Sequence, residues 1–239
     1  MAMRLVSFDV WGTLLRIEPF YEAAARAMEE LGILGFREAL DLLVKGYREV
    51  KGARRLGAID PGDVIGSSVA VALGSSGAGL TKGDVFLAFA RAANRVSVSD
   101  LLIPGSLETV ERLHEEGYSL AVASNVIYWP GYVTRVLLDR AGFSRFFRVQ
   151  VYADEVGRLK PDPGFFAELL RLTGAPREGV VHVGDSPQED LAGALAAGVA
   201  GVLVDGGRGE AFVDESLRIA VVRRLEEVPG VIPRLLRVA

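Results

Sequence analysis

The sequence predicts an α/β fold: an open parallel sheet covered by helices on both faces, with a helical segment inserted after its first strand. Three observations predict it. After Leu101, short apolar runs rich in β-branched residues alternate with amphipathic stretches of helical period, the pattern of a parallel sheet built from strand–helix units. One further apolar run, Met3 to Phe8, stands alone near the N-terminus. Between the two, residues 19–100 carry helical periodicity and no convincing strand.

Met3 to Phe8 is the first expected strand. In the insertion, "YEAAARAMEEL" sets Tyr21, Ala24, Ala25, Met28 and Leu31 on one stripe, and "FREALDLLVKGYREV" does the same with Phe36, Leu40, Leu43 and Tyr47. "GSSGAG", Gly74 to Gly79, is expected to turn between helices, and "DVFLAFARAA" is another helix. Beyond it, "PGSLETVERLHEEG" is a helix with proline at its start and Gly117 at its end. The strand "YSLAVAS", the helix "GYVTRVLLDRAG" and the strand "FFRVQVYA" follow. Then come the helix "PGFFAELLRLTG", the strand "GVVHVGD", the helix "QEDLAGALAAG" and the strand "VAGVLVD". The tail is expected to add one edge strand and a terminal helix.

Composition narrows the function. Half of the 239 residues are apolar and the net charge is −4, so nothing attracts nucleic acid or an anionic membrane. No stretch has the length of a membrane span, and the N-terminus lacks the basic-then-apolar layout of a signal peptide. The absence of cysteine excludes disulfides and thiolate metal sites and points to a cytoplasmic location. Four lysines stand against twenty-three arginines, so each lysine is an exception.

Ligands of open parallel sheets sit at the carboxyl ends of the strands. Asp9 follows the first strand, Ser124 and Asn125 end "LAVA", and Gly184, Asp185, Ser186 and then Asp190 follow "VVHV". Lys160 precedes the helix that leads into that last strand. Carboxylates, a hydroxyl and a lysine converging on one pocket suit a phosphorylated ligand. A divalent cation between Asp9 and Asp185 would offset carboxylate–phosphate repulsion, Lys160 would act as a point charge and Ser124 as a donor. Asp9 would then attack phosphorus. The plainer alternative makes Asp185 and Asp190 turn and helix-cap residues.

These pieces resemble the haloacid dehalogenase superfamily of hydrolases. "FDVWGTL" matches its nucleophile loop, "VASN" its phosphate-binding serine, "GRLKPDPGFF" its lysine and "HVGDSPQEDLAGALAAG" its acidic metal loop, in family order. The resemblance implies a Rossmann-like core, residues 1–18 and 101–239, with a helical-bundle cap at 19–100. It implies Asp9, Lys160 and Ser124 as catalytic, and Thr13, Ser124, Asn125 and Lys160 as the phosphate site. Mg²⁺ would be held by Asp9, the Trp11 backbone carbonyl and Asp185, with Gly12 and Asp190 in support. The expected partner is a small phosphorylated metabolite, with the protein a monomer or homodimer.

One position departs. Family phosphatases carry a second aspartate two residues after the nucleophile, where this chain has Trp11, which can neither give nor take a proton. Slow turnover is the expectation, unless Glu18, just beyond the loop, substitutes. The superfamily's 2-haloacid dehalogenases carry an aromatic residue there, which supports an alternative in which Asp9 attacks carbon without metal; they lack the aspartate retained here as Asp185. A binding or regulatory protein that keeps the site without turnover is the third possibility. Trp11 is expected to pack against the cap, Arg54 and Arg55 to be solvated, His114 to be solvated and His182 to lie in the packed layer.

Overall fold

The computed structural model describes residues 3–74, 79–207 and 210–237. Strand β1, Leu5–Phe8, is followed by five helices: α1 (Glu18–Glu30), α2 (Phe36–Arg55), α3 (Val64–Gly74), α4 (Lys82–Arg95) and the short α5 (Val98–Leu101). The chain then alternates α6 (Ser106–Glu115), β2 (Ser119–Ser124), α7 (Gly131–Arg140), β3 (Phe147–Tyr152), α8 (Ala153–Val156), α9 (Pro163–Thr173) and β4 (Val180–Gly184). It ends with α10 (Gly193–Ala196), β5 (Ala200–Val204), β6 (Phe212–Asp214), β7 (Ile219–Val222) and α11 (Val228–Leu235).

Seven strands form one sheet in the order β3-β2-β1-β4-β5-β7-β6 among the described residues. β1 is central and fully buried, parallel to β2 on one side and to β4 on the other. Burial on both faces is why these strands are continuous apolar runs rather than alternating ones. The chain leaves β1 toward β2 and leaves β4 toward β5, so the strand order reverses between β1 and β4. A crevice opens at such a switch point, at the carboxyl ends of the two strands. Asp9 and Asp185 are the residues that follow them.

Local chemistry sets the element ends. Asp162 caps α9 by accepting from the Gly164 amide at 2.8 Å, Pro163 opens the helix and Gly174 closes it in the left-handed conformation. Thr81 and Asp84 form a reciprocal capping box on α4. Two expectations change. The tail strand β7 is not an edge: it pairs parallel with β5, and the edge is β6, which pairs antiparallel with β7. β6 has only three residues and no buried one, so its sequence carried no apolar signal. The stretch expected as one helix from Gln188 begins with a π-helical turn, Pro187–Ala192, before α10. Residues 75–78 of the expected "GSSGAG" turn lie outside the described ones.

The inserted helices meet the core through aromatic side chains. The Trp11 ring stacks on Phe20 of α1 at 5.5 Å between centroids, and Trp129, in the loop after β2, meets Trp11, Phe20, Tyr21 and Phe89. Both indole N–H groups donate to the same buried hydroxyl, Thr134 Oγ1, at 3.3 Å from Trp11 and 2.9 Å from Trp129. Gly46 lets α2 approach α3, since a Cβ there would lie 2.6 Å from the Ala72 methyl. Truncating a buried aromatic costs about 3–5 kcal/mol. Trp129→Ala is therefore expected to lower Tm by on the order of 10 °C. Leu56→Ala, at a position 86% exposed, should leave Tm nearly unchanged. Thermal unfolding of the two variants checks this, and equal effects would contradict the account.

Candidate active site

The loop after β1 is tied to its neighbours before any chemistry is considered. The Asp9 amide donates to the Val183 carbonyl at 2.8 Å, and the Val10 carbonyl accepts from Leu14 and Leu15 at 2.8 and 2.9 Å. Gly12 turns with φ +90°, and a Cβ there would sit 2.5 Å from Asp185 Oδ2. Backbone conformation and close approach both require glycine at that position.

Lys160 is the hub of the site. It is 1% exposed and spends its Nζ protons on Asp9 Oδ1 (2.8 Å), Asp190 Oδ1 (2.6 Å) and the Ala123 carbonyl (2.7 Å). Its backbone is clamped by Asn125, whose Oδ1 accepts from the Lys160 amide at 2.9 Å while Nδ2 donates to the Lys160 carbonyl at 3.0 Å. Nδ2 also reaches Glu189 Oε2 at 2.9 Å. Asp190 is held from three directions: Lys160, His182 Nε2 at 3.1 Å and the Ser186 amide at 2.9 Å. His182 in turn pairs with Ser7 Oγ at 3.0 Å.

These contacts set the protonation states. Burial is the largest influence on Asp9 and pushes it up to about 6, with Lys160 opposing and Asp190 adding to the rise. Asp185 is raised to about 7 by burial and by the charges of Asp9 and Asp190. Burial would raise Asp190 too, but Lys160 and His182 outweigh it and hold it well below the usual range. Lys160 stays charged because Asp190 and Asp9 outweigh its burial. Burial, then the Lys160 charge, holds His182 down and neutral.

Carboxylate oxygens of Asp9, Asp185 and Asp190 lie within 4.8 Å of one another. Asp190 is consumed by its three donors. Asp185 is different: among the described residues its carboxylate has no hydrogen bond and no ion pair, though it is partly buried beside Asp9. A hard divalent cation is the group that such an oxygen pair fits. The pocket is small, a cavity of about 30 Å³. It is lined on the core side by Asp9, Trp11, Asn125 and Asp185 and on the α2 side by Tyr47, Lys51 and Arg54.

The structure thus brings together Asp9, Asn125, Lys160, Asp185 and Asp190, with Ser124 at the end of β2 close enough to Asp9 to favour its ionised form. Trp11 is packed as expected and also lines the pocket. Thr13 is buried, does not line the pocket, and its Oγ1 has no hydrogen-bond partner among the described residues. Glu18 is exposed at the head of α1 and outside the pocket, so it cannot replace the missing aspartate from there. Arg54 is not solvated: its side chain is 5% exposed, its guanidinium donates to the Val126 carbonyl, and Nη1 lies 3.7 Å from Glu189. Arg55 is exposed, and His114 is exposed with its ring against Phe146. Sequence reasoning missed Lys51 and Glu189 as pocket residues. Lys51 had one signal, the rarity of lysine; Glu189, beside Asp190, had none.

With this geometry in view, the comparisons with known proteins define the class. A haloacid dehalogenase-like hydrolase model matches residues 3–198, and the chain belongs to that family. It is 28% identical over 235 residues to a phosphoglycolate phosphatase of Pseudomonas fluorescens, covering 95% of this chain and 79% of that one. It is 38% identical over 102 residues to a glyceraldehyde 3-phosphate phosphatase of Methanothermobacter thermautotrophicus, 43% of this chain and 44% of that protein. For most of the curated relatives it matches, the chain spans about half of their length. Among solved structures it resembles a Bacillus subtilis HAD-hydrolase bound to magnesium (TM-score 0.70, 20% identity, 97% of this chain and 99% of that one). It also resembles a 2-haloacid dehalogenase from Pseudomonas syringae (TM-score 0.63, 24% identity, 97% and 99%). At these identities the likeness is one of fold. No helix among the described residues is long and apolar enough to cross a membrane.

The raised carboxyls make a prediction. A carboxyl whose pKa is higher folded than unfolded contributes stability below its unfolded value, near 4, and loses it as pH rises through the folded value. In chelator, Tm should therefore fall between about pH 5 and pH 8, through the values of about 6 and about 7 for Asp9 and Asp185. Asp185→Asn should flatten that fall and raise Tm at pH 8. A metal-free Tm that rises across the window would contradict the arrangement.

Proposed function

We propose that this chain is a magnesium-dependent phosphatase acting on a small phosphorylated metabolite through a phosphoryl group carried on Asp9. One observation favours it: Asp185, a carboxylate facing Asp9 in a buried site with no protein partner among the described residues. Leaving such a group without a counter-charge is costly. The phosphatase names of the relatives support the same reading.

The carboxylates of Asp9 and Asp185, with the backbone carbonyl of Trp11, would hold Mg²⁺. Bound there, it would supply charge neutralisation for the phosphoryl oxygens. Lys160 keeps Asp9 ionised, and thus nucleophilic, against the burial that raises its pKa. Asn125 fixes the lysine, His182 fixes Asp190, and Asp190 fixes the lysine's other side. Asp9 attacks phosphorus, the ester oxygen leaves, and water then releases phosphate from Asp9. Ser124 would bind the phosphoryl oxygens, and Lys160, whose three protons are all taken in the unliganded site, would reach them by exchanging its contact with Asp9. Residues 19–100 serve as a cap over a core of residues 1–18 and 101–239. A cavity of about 30 Å³ holds little more than a water or two, so the cap helices must move to admit a substrate.

Trp11 stands where a general acid and base would act, and its ring is locked between Phe20, Trp129 and Thr134. Losing such a group costs about 10²–10⁴-fold. Substrates with good leaving groups, such as acyl phosphates, should therefore be preferred. Displacement at carbon, the second reading, is favoured by the aromatic Trp11, but it needs no cation and leaves Asp185 without a role.

The test is phosphate release from acetyl phosphate and p-nitrophenyl phosphate, with and without magnesium, in wild type and Asp9→Asn. The expected result is magnesium-dependent release with an initial burst and a slow steady state, abolished in Asp9→Asn. Release that survives in Asp9→Asn, or metal-independent halide release from 2-haloacids instead, would overturn the proposal.

A further inference from the structure

The substrate carries more than its phosphoryl group, and α2 is where the rest would be read. Tyr47, Lys51 and Arg54 recur at intervals of four and three residues, so one face of α2 supplies all three to the pocket opposite Asp9. Two of the three are cations, and their situations differ. Arg54 is committed: its guanidinium is buried, bonded to the Val126 carbonyl and paired with Glu189. Its Nε remains a buried donor with no partner among the described residues. Lys51 is partly exposed, with its ammonium 5.1 Å from the centre of the Tyr47 ring. Burial opposes its charge, but the Tyr47 hydroxyl, then Glu189 and Asp185, outweigh burial and keep it charged; it makes no ion pair within 4.0 Å among the described residues. The third cation of the site, Lys160, is already saturated by Asp9, Asp190 and Ala123.

We propose that Lys51 is the receptor for a second anionic group on the substrate, a carboxylate, with the Arg54 Nε as an auxiliary donor on the same wall. The inference rests on the phosphatase reading and names its substrate class: a short phosphorylated carboxylic acid. One cation whose partner is a neutral hydroxyl, with no carboxylate paired to it among the described residues, matches a singly charged group. A second phosphate would need more donors than this wall has free, because the other Arg54 nitrogens are engaged. Tyr47 limits where the ammonium can swing, which gives the contact a direction that a solvated lysine lacks.

The experiment compares non-hydrolysable ligands, so it does not depend on turnover. Calorimetry at fixed free magnesium would measure phosphonoacetate, its neutral isostere phosphonoacetamide, and methylenediphosphonate. Wild type should bind phosphonoacetate at least about tenfold more tightly than phosphonoacetamide, the worth of one charged hydrogen bond. Lys51→Met should bring the two within about threefold, and Lys51→Arg should restore much of the difference. Lys45→Met, on the same helix but exposed and paired with Glu49, should behave as wild type. Equal binding of the first two ligands by wild type, no binding of either, or a difference that survives in Lys51→Met would overturn the proposal. Tighter binding of methylenediphosphonate than of phosphonoacetate would overturn the carboxylate assignment. A Lys51-dependent preference in a protein that hydrolyses no phosphate ester would sink the phosphatase reading and leave this role of Lys51 standing.

Discussion

Asp9, at the carboxyl end of β1, and Asp190, in the π-helical turn after β4, can be buried together because Lys160 stands between them. Asp9 and Asp190 would repel strongly in a water-poor crevice. A buried ammonium with both as acceptors turns that repulsion into a fixed triad. The rest of the site follows from keeping it fixed. Asn125 clamps the lysine's backbone, His182 and the Ser186 amide orient Asp190, and Ser7 orients His182. Asp185 is left outside the triad, against a glycine that tolerates its approach. That imbalance, one carboxylate too many, is the feature on which the proposed cation site rests.

Much of this was legible in the sequence because the sheet forces it. Strands buried on both faces must be apolar, so a polar residue where such a run ends marks the crevice; Asp9, Ser124 and Asp185 were found that way. Lys160 was visible by its rarity and its place in a family-like motif. Residues on helices were not legible. Tyr47 appeared as one more member of an apolar stripe, and Arg54 as one of twenty-three arginines. The same 3.6-residue period describes a face turned to neighbouring helices and a face turned to a pocket, and only tertiary packing separates them. The edge strand β6 was missed for a related reason, because a short strand without buried residues leaves no hydrophobic signature.

Trp11 joins the two levels of the structure. Its ring belongs to the aromatic layer that binds α1 and α4 to the core, through Phe20, Trp129 and Phe89. Its backbone belongs to the loop that carries Asp9. At this position the side chain packs, so the inserted helices are tied to the loop that carries Asp9. Two influences also compete at Asp9, where burial favours the neutral acid and Lys160 favours the carboxylate.

The proposed chemistry requires that Asp9 becomes phosphorylated. The most direct test is mass spectrometry of the acid-quenched protein after brief exposure to acetyl phosphate and magnesium. The account predicts a phosphoryl adduct on the peptide containing Asp9, absent without magnesium and absent in Asp9→Asn. Turnover of acetyl phosphate with no adduct at Asp9, or an adduct on another residue, would contradict it.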